Sequence, residues 1–302
     1  MENTQIAGSD PGYMVVPELA EAGCISYWRL SGGVNLGELR EAWLRAGLDE
    51  KLLPAAPSRE TALRRSVSDL GAKRRLIRPL ARRGAWAVVN EAVDRHTETL
   101  SWDVSCEVRL TPSAVKDGLP TVSIAPSYHE LGDQIRSGYT KHLGELAQED
   151  ISGWLVKLAC GEKAVALRDT GGVYFIPRPS VPFWRRAVEI IRAVSQHKVF
   201  QLPALKNSEA IDAIVDAVTE EGRREAEAIE ADLAQEGDAA LGARALVTRG
   251  THCEEVISKI ASYESLLGVK MDAVRARIER LRANLAAAAL IASSDAGEEA
   301  AA

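Results

Sequence analysis

Cysteine is scarce in this sequence, and its four copies, Cys24, Cys106, Cys160 and Cys253, never form a CxxC pair. That spacing argues against a zinc site and a disulfide framework, and fits a reducing compartment. Among His96, His129, His142, His197 and His252 no two stand at i, i+3 or i+4, so no metal site is expected. No apolar run approaches the ~18–20 residues of a membrane helix. The opening Met1 to Asp10 has no Lys or Arg ahead of an apolar block, so no secretory signal is read there. The expectation is a cytoplasmic protein without membrane attachment.

Catalytic signatures are missing as well. No Gly-x-Ser-x-Gly elbow places a nucleophile on a strand-to-helix turn. Gly171-Gly172 lies between two strand-like segments with no Gly-Lys-Ser/Thr behind it, which suits a hairpin turn better than a phosphate loop. Ser31-Gly32-Gly33 sits between a strand and a helix but lacks the third glycine and the lysine. Clustered carboxylates such as Glu220, Glu221, Glu225 and Glu227 fall on a helical stretch and read as a solvated face, since a helical rod offers no pocket to shift their pKa values. No cofactor is expected, and the reading leans away from an enzyme.

What is present is an uneven distribution of charge. From Arg29 to Trp86 there are 13 Lys and Arg against 6 Asp and Glu, whereas from Asn207 to Ala302 there are 10 against 19. The net charge of −6 conceals a basic front and an acidic rear. Opposite patches can steer head-to-tail association between copies, or attract an anionic partner to the front.

The pattern along the chain predicts an α+β fold. Residues 1–23 read as a flexible arm. Residues 24–126 read as a helix-helix-β-meander domain, open to a winged-helix interpretation, with Asn35 and Ser58 as helix N-caps. Its strand from Leu100 to Leu110 alternates strictly, Trp102, Val104, Cys106, Val108 and Leu110 sharing one face. Residues 127–203 read as a long helix followed by a hairpin, a helix and a strand. Residues 204–291 read as an antiparallel helical hairpin or coiled coil, turning at Gly237-Asp238 and restarting after Gly250 with a capping box from Thr251 to Glu254. The acidic end, 292–302, is read as disordered.

Three groups of residues are candidates for binding. Lys73, Arg74, Arg75, Arg78, Arg82 and Arg83 put six cations in eleven residues, on a hairpin suited to nucleic acid or an acidic protein. Phe183-Trp184-Arg185-Arg186 pairs aromatics with arginines after a proline-rich link, as a docking surface would. Val256, Ile260, Tyr263, Leu267, Met271, Val274, Ile278, Leu281 and Leu285 form a stripe at helical spacing that would favour association if left exposed. The other tryptophans read as core anchors.

Two stretches carry a resemblance. They are Tyr27-Trp28-Arg29-Leu30-Ser31-Gly32 with Leu39, Trp43, Ala46-Gly47-Leu48 and Leu53-Pro54, and Gly171-Gly172-Val173-Tyr174-Phe175-Ile176-Pro177. Over most of its length the chain resembles an uncharacterised family of bacterial and phage proteins. The resemblance implies a bacterial or phage origin and brings no activity or catalytic residue with it. The functional expectation is an interaction or assembly protein that self-associates or binds a protein through its helical hairpin. Nucleic-acid binding through the basic hairpin is the alternative, and an enzyme the second alternative.

Overall fold

The computed structural model describes residues 20–71, 75–93, 100–111, 121–127, 130–169, 172–234 and 241–299. The fold is mixed α+β with antiparallel sheets and a C-terminal helical hairpin. The chain divides into two compact units. One comprises residues 1–29, 156–185 and 199–302; the other comprises 30–155 and 186–198. Strand pairing between segments distant in sequence crosses the linear division at 126.

The unit of 30–155 and 186–198 is organised around a meander. Strands β3 (Arg75–Pro79), β4 (Ala85–Val93), β5 (Leu100–Thr111) and β6 (Thr121–Ala125) pair in that order, each antiparallel to the next. Gly84 closes the β3–β4 turn at φ +72°, a left-handed conformation that glycine takes without a Cβ penalty. Helices α2 (Arg59–Ser68) and α3 (Gly132–Gly144) cover one face. Ala62, Leu63 and Val67 of α2 and Ile135 and Tyr139 of α3 bury Trp86, Val88, Cys106, Val108 and Ile124. Ser58 caps α2 through the Thr61 N–H at 3.1 Å. The basic hairpin is therefore part of a four-stranded sheet rather than a wing beside an exposed recognition helix.

In the same unit, helix α1 (Leu36–Arg45) is capped by Asn35, whose Oδ1 accepts from the N–H groups of Gly37 and Glu38. Trp43 and Trp154 meet at 5.3 Å between centroids, and each indole donates to a backbone carbonyl, of Asp49 and Leu52 respectively. The long helix read from about 128 to 160, with a break allowed near Gly144 or Gly153, does break after Gly144: β7 (Glu145–Leu146) pairs with β2 (Val34–Asn35) before α4 (Gln148–Gly161) begins.

The other unit holds a four-stranded sheet in the order β10 (Lys198–Leu205), β1 (Glu21–Arg29), β9 (Val173–Pro177), β8 (Val165–Ala166). Helices α6 (Ser208–Leu233), α7 (Ala243–Leu267) and α8 (Asp272–Glu299) complete it. Phe175, Val165, Ala22 and Ala204 from the sheet pack with Ile214 and Val218 of α6, Ile260 and Tyr263 of α7 and Val274 of α8.

The hairpin itself is α7 against α8, and its turn is at Gly268, where φ is +71°. The stripe read from Val256 to Leu285 therefore runs across this turn and belongs to two helices. Gly250 lies inside α7, and Thr251 donates its hydroxyl to the Val247 carbonyl instead of capping a new helix. Helical order continues to Glu299, past the point where the tail was expected to lose it. The expected turn at Gly237-Asp238 lies outside the described residues.

Candidate functional site

Four of the six hairpin cations lie among the described residues. Lys73 and Arg74 lie outside the described residues. Arg75 shares the helix-covered side of its strand with Ile77. It reaches Asn90 Oδ1 and the Leu70 carbonyl, each at 3.5 Å, so it serves the end of α2. Arg83 pairs with Glu60 at 2.8 Å. Arg78 and Arg82 are exposed and have no carboxylate partner among the described residues.

One structural detail decides what accompanies them. Val88 pairs with Cys106, but the next residue, Val89, pairs with Val104, which leaves Ser105 as the extra residue of a β-bulge. Each strand residue points opposite to its neighbour, so one extra residue exchanges the two faces beyond it. Cys106 and Val108 stay in the core at 1 % and 0 % exposure, while Trp102 and Val104 are turned outward at 45 % and 60 %. The strict alternation in the sequence had placed all four together. A bulge has no residue signature, and nothing in the spacing marks it.

Phe183-Trp184-Arg185-Arg186 does not form a docking surface. Trp184, on α5 (Val181–Val194), is fully buried, and its indole N–H donates to Ser26 Oγ at 3.0 Å. Ser26 passes the bond on to the Phe200 carbonyl at 3.0 Å. Phe183 is half-buried, and Arg185 and Arg186 are exposed. The tryptophan that was singled out as the exception is thus a core anchor, and Trp102, taken as core, is the exposed one.

The helical stripe is spent on packing within its own unit. Val256 is half-buried, and Ile260, Tyr263, Leu267, Met271, Val274, Ile278, Leu281 and Leu285 are buried. The Tyr263 hydroxyl donates to the Lys163 carbonyl at 2.8 Å, and burial pushes its pKa upward. Exposed apolar side chains appear at the other end of the hairpin, away from Gly268. Val247 on α7 and Leu290 and Ile291 on α8 are 60 %, 73 % and 64 % exposed. Beneath them Leu246 packs with Leu285 and Ala289. A shallow groove of about 1090 Å³ runs beside the first turns of α7, lined by Leu241, Ala245 and Val247 among others.

The helices do form a polar cleft, of about 730 Å³, where the sequence reading expected none. It is lined by Cys160, Lys163, Glu221, Glu225, His252 and Lys259 among others. Two pairs of its titratable side chains are joined within it, while Lys163 donates to the Ser258 and Ser262 hydroxyls. Lys259 pairs with both carboxylate oxygens of Glu221 at 2.6 and 2.9 Å and donates to the Ala164 carbonyl at 2.7 Å. His252 Nε2 lies 2.8 Å from Glu225. Burial raises the Cys160 thiol above its ordinary pKa, against the weaker pull of Lys259. A thiol held in the neutral form is a poor nucleophile. The cleft therefore reads as an ion-pair seam joining α6 to α7.

Burial, with a smaller term from Glu21, likewise raises Cys24 to about 11 against Arg185. Arg223 and Arg224 bracket the exposed Glu220 and lower it to about 2. Among the described residues no group of three or more His, Cys, Asp or Glu side chains is placed to hold a metal ion. No described helix is long and apolar enough to cross a membrane.

A family of unknown function, DUF6744, matches residues 23–295. The chain belongs to the DUF6744 family. The match spans both units, so the α+β bodies and the helical hairpin all fall within the family's extent. No curated protein and no solved structure matches the chain. DUF6744 membership agrees with the resemblance read from the two sequence stretches, and it carries no activity to this chain.

Proposed function

We propose that this DUF6744 protein is a self-associating assembly protein whose copies meet through the open end of the α7–α8 hairpin. The observation that supports the reading is a helix face without charge. From Ala283 to Ser294 no Asp, Glu, Lys or Arg occurs, and this stretch carries the exposed Leu290 and Ile291. The rest of the acidic rear would repel a second copy of itself. A neutral apolar face is where two copies approach without like-charge repulsion or desolvation of an ion.

Burying Val247, Leu290 and Ile291 contributes about 1.5–3 kcal/mol each if fully covered. Two such sets across a two-fold contact are of the order needed to offset the loss of translational and rotational freedom, about 4–15 kcal/mol. This interface differs from the stripe named in the sequence reading, which is core, but it keeps the hairpin as the assembling element.

Sedimentation of the full chain tests it. Oligomers are expected at micromolar concentration, persisting at 1 M salt, and the double substitution Leu290→Glu with Ile291→Glu is expected to give monomers of unchanged helicity. A monomeric wild-type chain at high micromolar concentration overturns the proposal. An oligomer that dissolves as salt rises would instead support head-to-tail contact between basic front and acidic rear, since the Debye length falls to about 3 Å at 1 M.

A further inference from the structure

We propose that the open face of the β3–β6 sheet binds single-stranded nucleic acid, with Trp102 stacking on a base and Arg78 and Arg82 meeting phosphates. Among the described residues, the helices that pack on this sheet lie on one of its faces. Helices α2 and α3 both pack on the Val88–Cys106 face. The opposite face carries Leu76, Arg78, Ala87, Val89, Trp102 and Val104, by strand parity and the Ser105 bulge; Arg78, Trp102 and Val104 are exposed, Leu76 and Val89 half-buried, and Ala87 lies buried between them. A flat antiparallel sheet with an aromatic side chain on its open face is a stacking platform, because every base has a π-face and the contact needs no particular sequence.

Register arranges these residues in successive rows. Trp102 stands opposite Glu91; Leu76, Val89 and Val104 lie side by side across three strands; Arg78 stands opposite Ala87. Neighbouring rows on one face are two residues apart, about 6.8 Å. That step suits successive bases of an extended strand. A base on Trp102 would place the following sugars over the apolar row and a phosphate near Arg78. Arg82, in the adjoining turn, extends the positive end.

The carboxylates on this face limit the interaction without closing it. Arg109 pairs with Glu107, which neutralises that row, and Glu91 is half-buried. The cations are therefore few, and stacking supplies the larger share of the affinity. Duplex DNA is not the ligand this face suits. Duplex readers insert a helix or ribbon into a groove, and here α2 and α3 lie on the far side of the sheet. The inference is independent of self-association, which rests on the other unit.

The test uses the full-length protein with fluorescein-labelled oligothymidylate at low salt, followed by anisotropy and by tryptophan quenching. Binding in the micromolar range is expected. Trp102→Ala should weaken it about 5- to 100-fold, the range for loss of one base–aromatic stack, and Trp102→Phe should restore most of it. Changing Arg78 and Arg82 together to Ala should lower the slope of log affinity against log salt by about 1.4, at about 0.7 per phosphate contact. Trp102 and Arg78 are exposed, so these variants leave the core intact. Absence of any anisotropy change at low salt overturns the proposal. So does binding indifferent to Trp102→Ala, tighter binding to a duplex of equal length, or equal displacement by polyglutamate, which would assign the face to an acidic protein.

Discussion

Glu264 on α7 and Arg275 on α8 face each other across the Gly268 turn, with Arg275 Nη1 donating to Glu264 Oε2 at 2.9 Å. The other carboxylate oxygen accepts the Met271 backbone N–H at 2.7 Å. Glu264 is only 6 % exposed, so both oxygens are desolvated and both are satisfied. The pair sits where two helices must reverse direction over four residues, and it holds the ends of that turn in one arrangement.

Removing one partner of a buried pair leaves the other uncompensated, which costs about 3–5 kcal/mol. Arg275 keeps some solvent and a second partner in Asp272, so the lower end of that range applies. Glu264→Ala is expected to destabilise by about 3 kcal/mol, and Glu264→Gln by less, since an amide oxygen can still accept from Met271. Urea unfolding followed by circular dichroism checks both. Equal midpoints for wild type and Glu264→Ala would show that the turn is held by other contacts.

Gly222 on α6 marks a close helix approach. A Cβ there would lie 2.7 Å from Val274 Cγ2 on α8 and 3.8 Å from Ile260 Cδ1 on α7. Gly222→Ala, though better for a helix by propensity, is expected to cost about 1–3 kcal/mol by overpacking. Combining it with Val274→Ala should recover part of that loss, a coupling of about 0.5–3 kcal/mol in a double-mutant cycle. Simple additivity of the two changes would contradict the contact.

His197 supplies a pH dependence. Its Nδ1 accepts the Ser31 N–H at 3.1 Å, and Nε2 is buried without a partner among the described residues. Burial lowers its pKa, outweighing the opposite effect of the Ser31 contact. The sign follows from proton counting: the unfolded chain protonates near the ordinary value, about 6.5, before the folded one does. Stability from this group is therefore present above about pH 6.5 and is lost as pH falls from there through the folded-state value. The unfolding midpoint is expected to drop between pH 7.5 and 5 more steeply in the wild type than in His197→Asn. Parallel curves for the two proteins would remove His197 as the cause.

Trp184 and its arginine neighbours separate a core role from a surface one. Trp184→Phe leaves Ser26 without its donor and opens space in a fully buried site, so a loss of about 2–4 kcal/mol is expected. Arg185→Ala is expected to stay within about 0.5 kcal/mol. Thermal unfolding reads both. A stable Trp184→Phe variant would mean that the site repacks.

Much of the local structure was legible in the residues themselves. Asn35 and Ser58 cap helices as their side-chain oxygens allow, and Gly84 turns the hairpin between two strands of the expected type. The apolar stripe from Ile260 to Leu285 is a real buried face. Periodicity can identify such a face because it reports which side chains point the same way. It does not report what covers them, and the stripe is covered by the chain's own helices and sheet.

The candidate surfaces depended on tertiary structure for the same reason. Whether Arg83 is free depends on Glu60, and whether Trp184 is free depends on Ser26 and the strands around it. The pairing of β1 with β9 joins segments on either side of residues 30–155, which no local pattern encodes. The Ser105 bulge is the sharpest case. Composition and alternation determined that Leu100 to Leu110 would be a strand, but a single extra residue decided which half of its apolar side chains would face water, because the pleat has a period of two and one insertion inverts it.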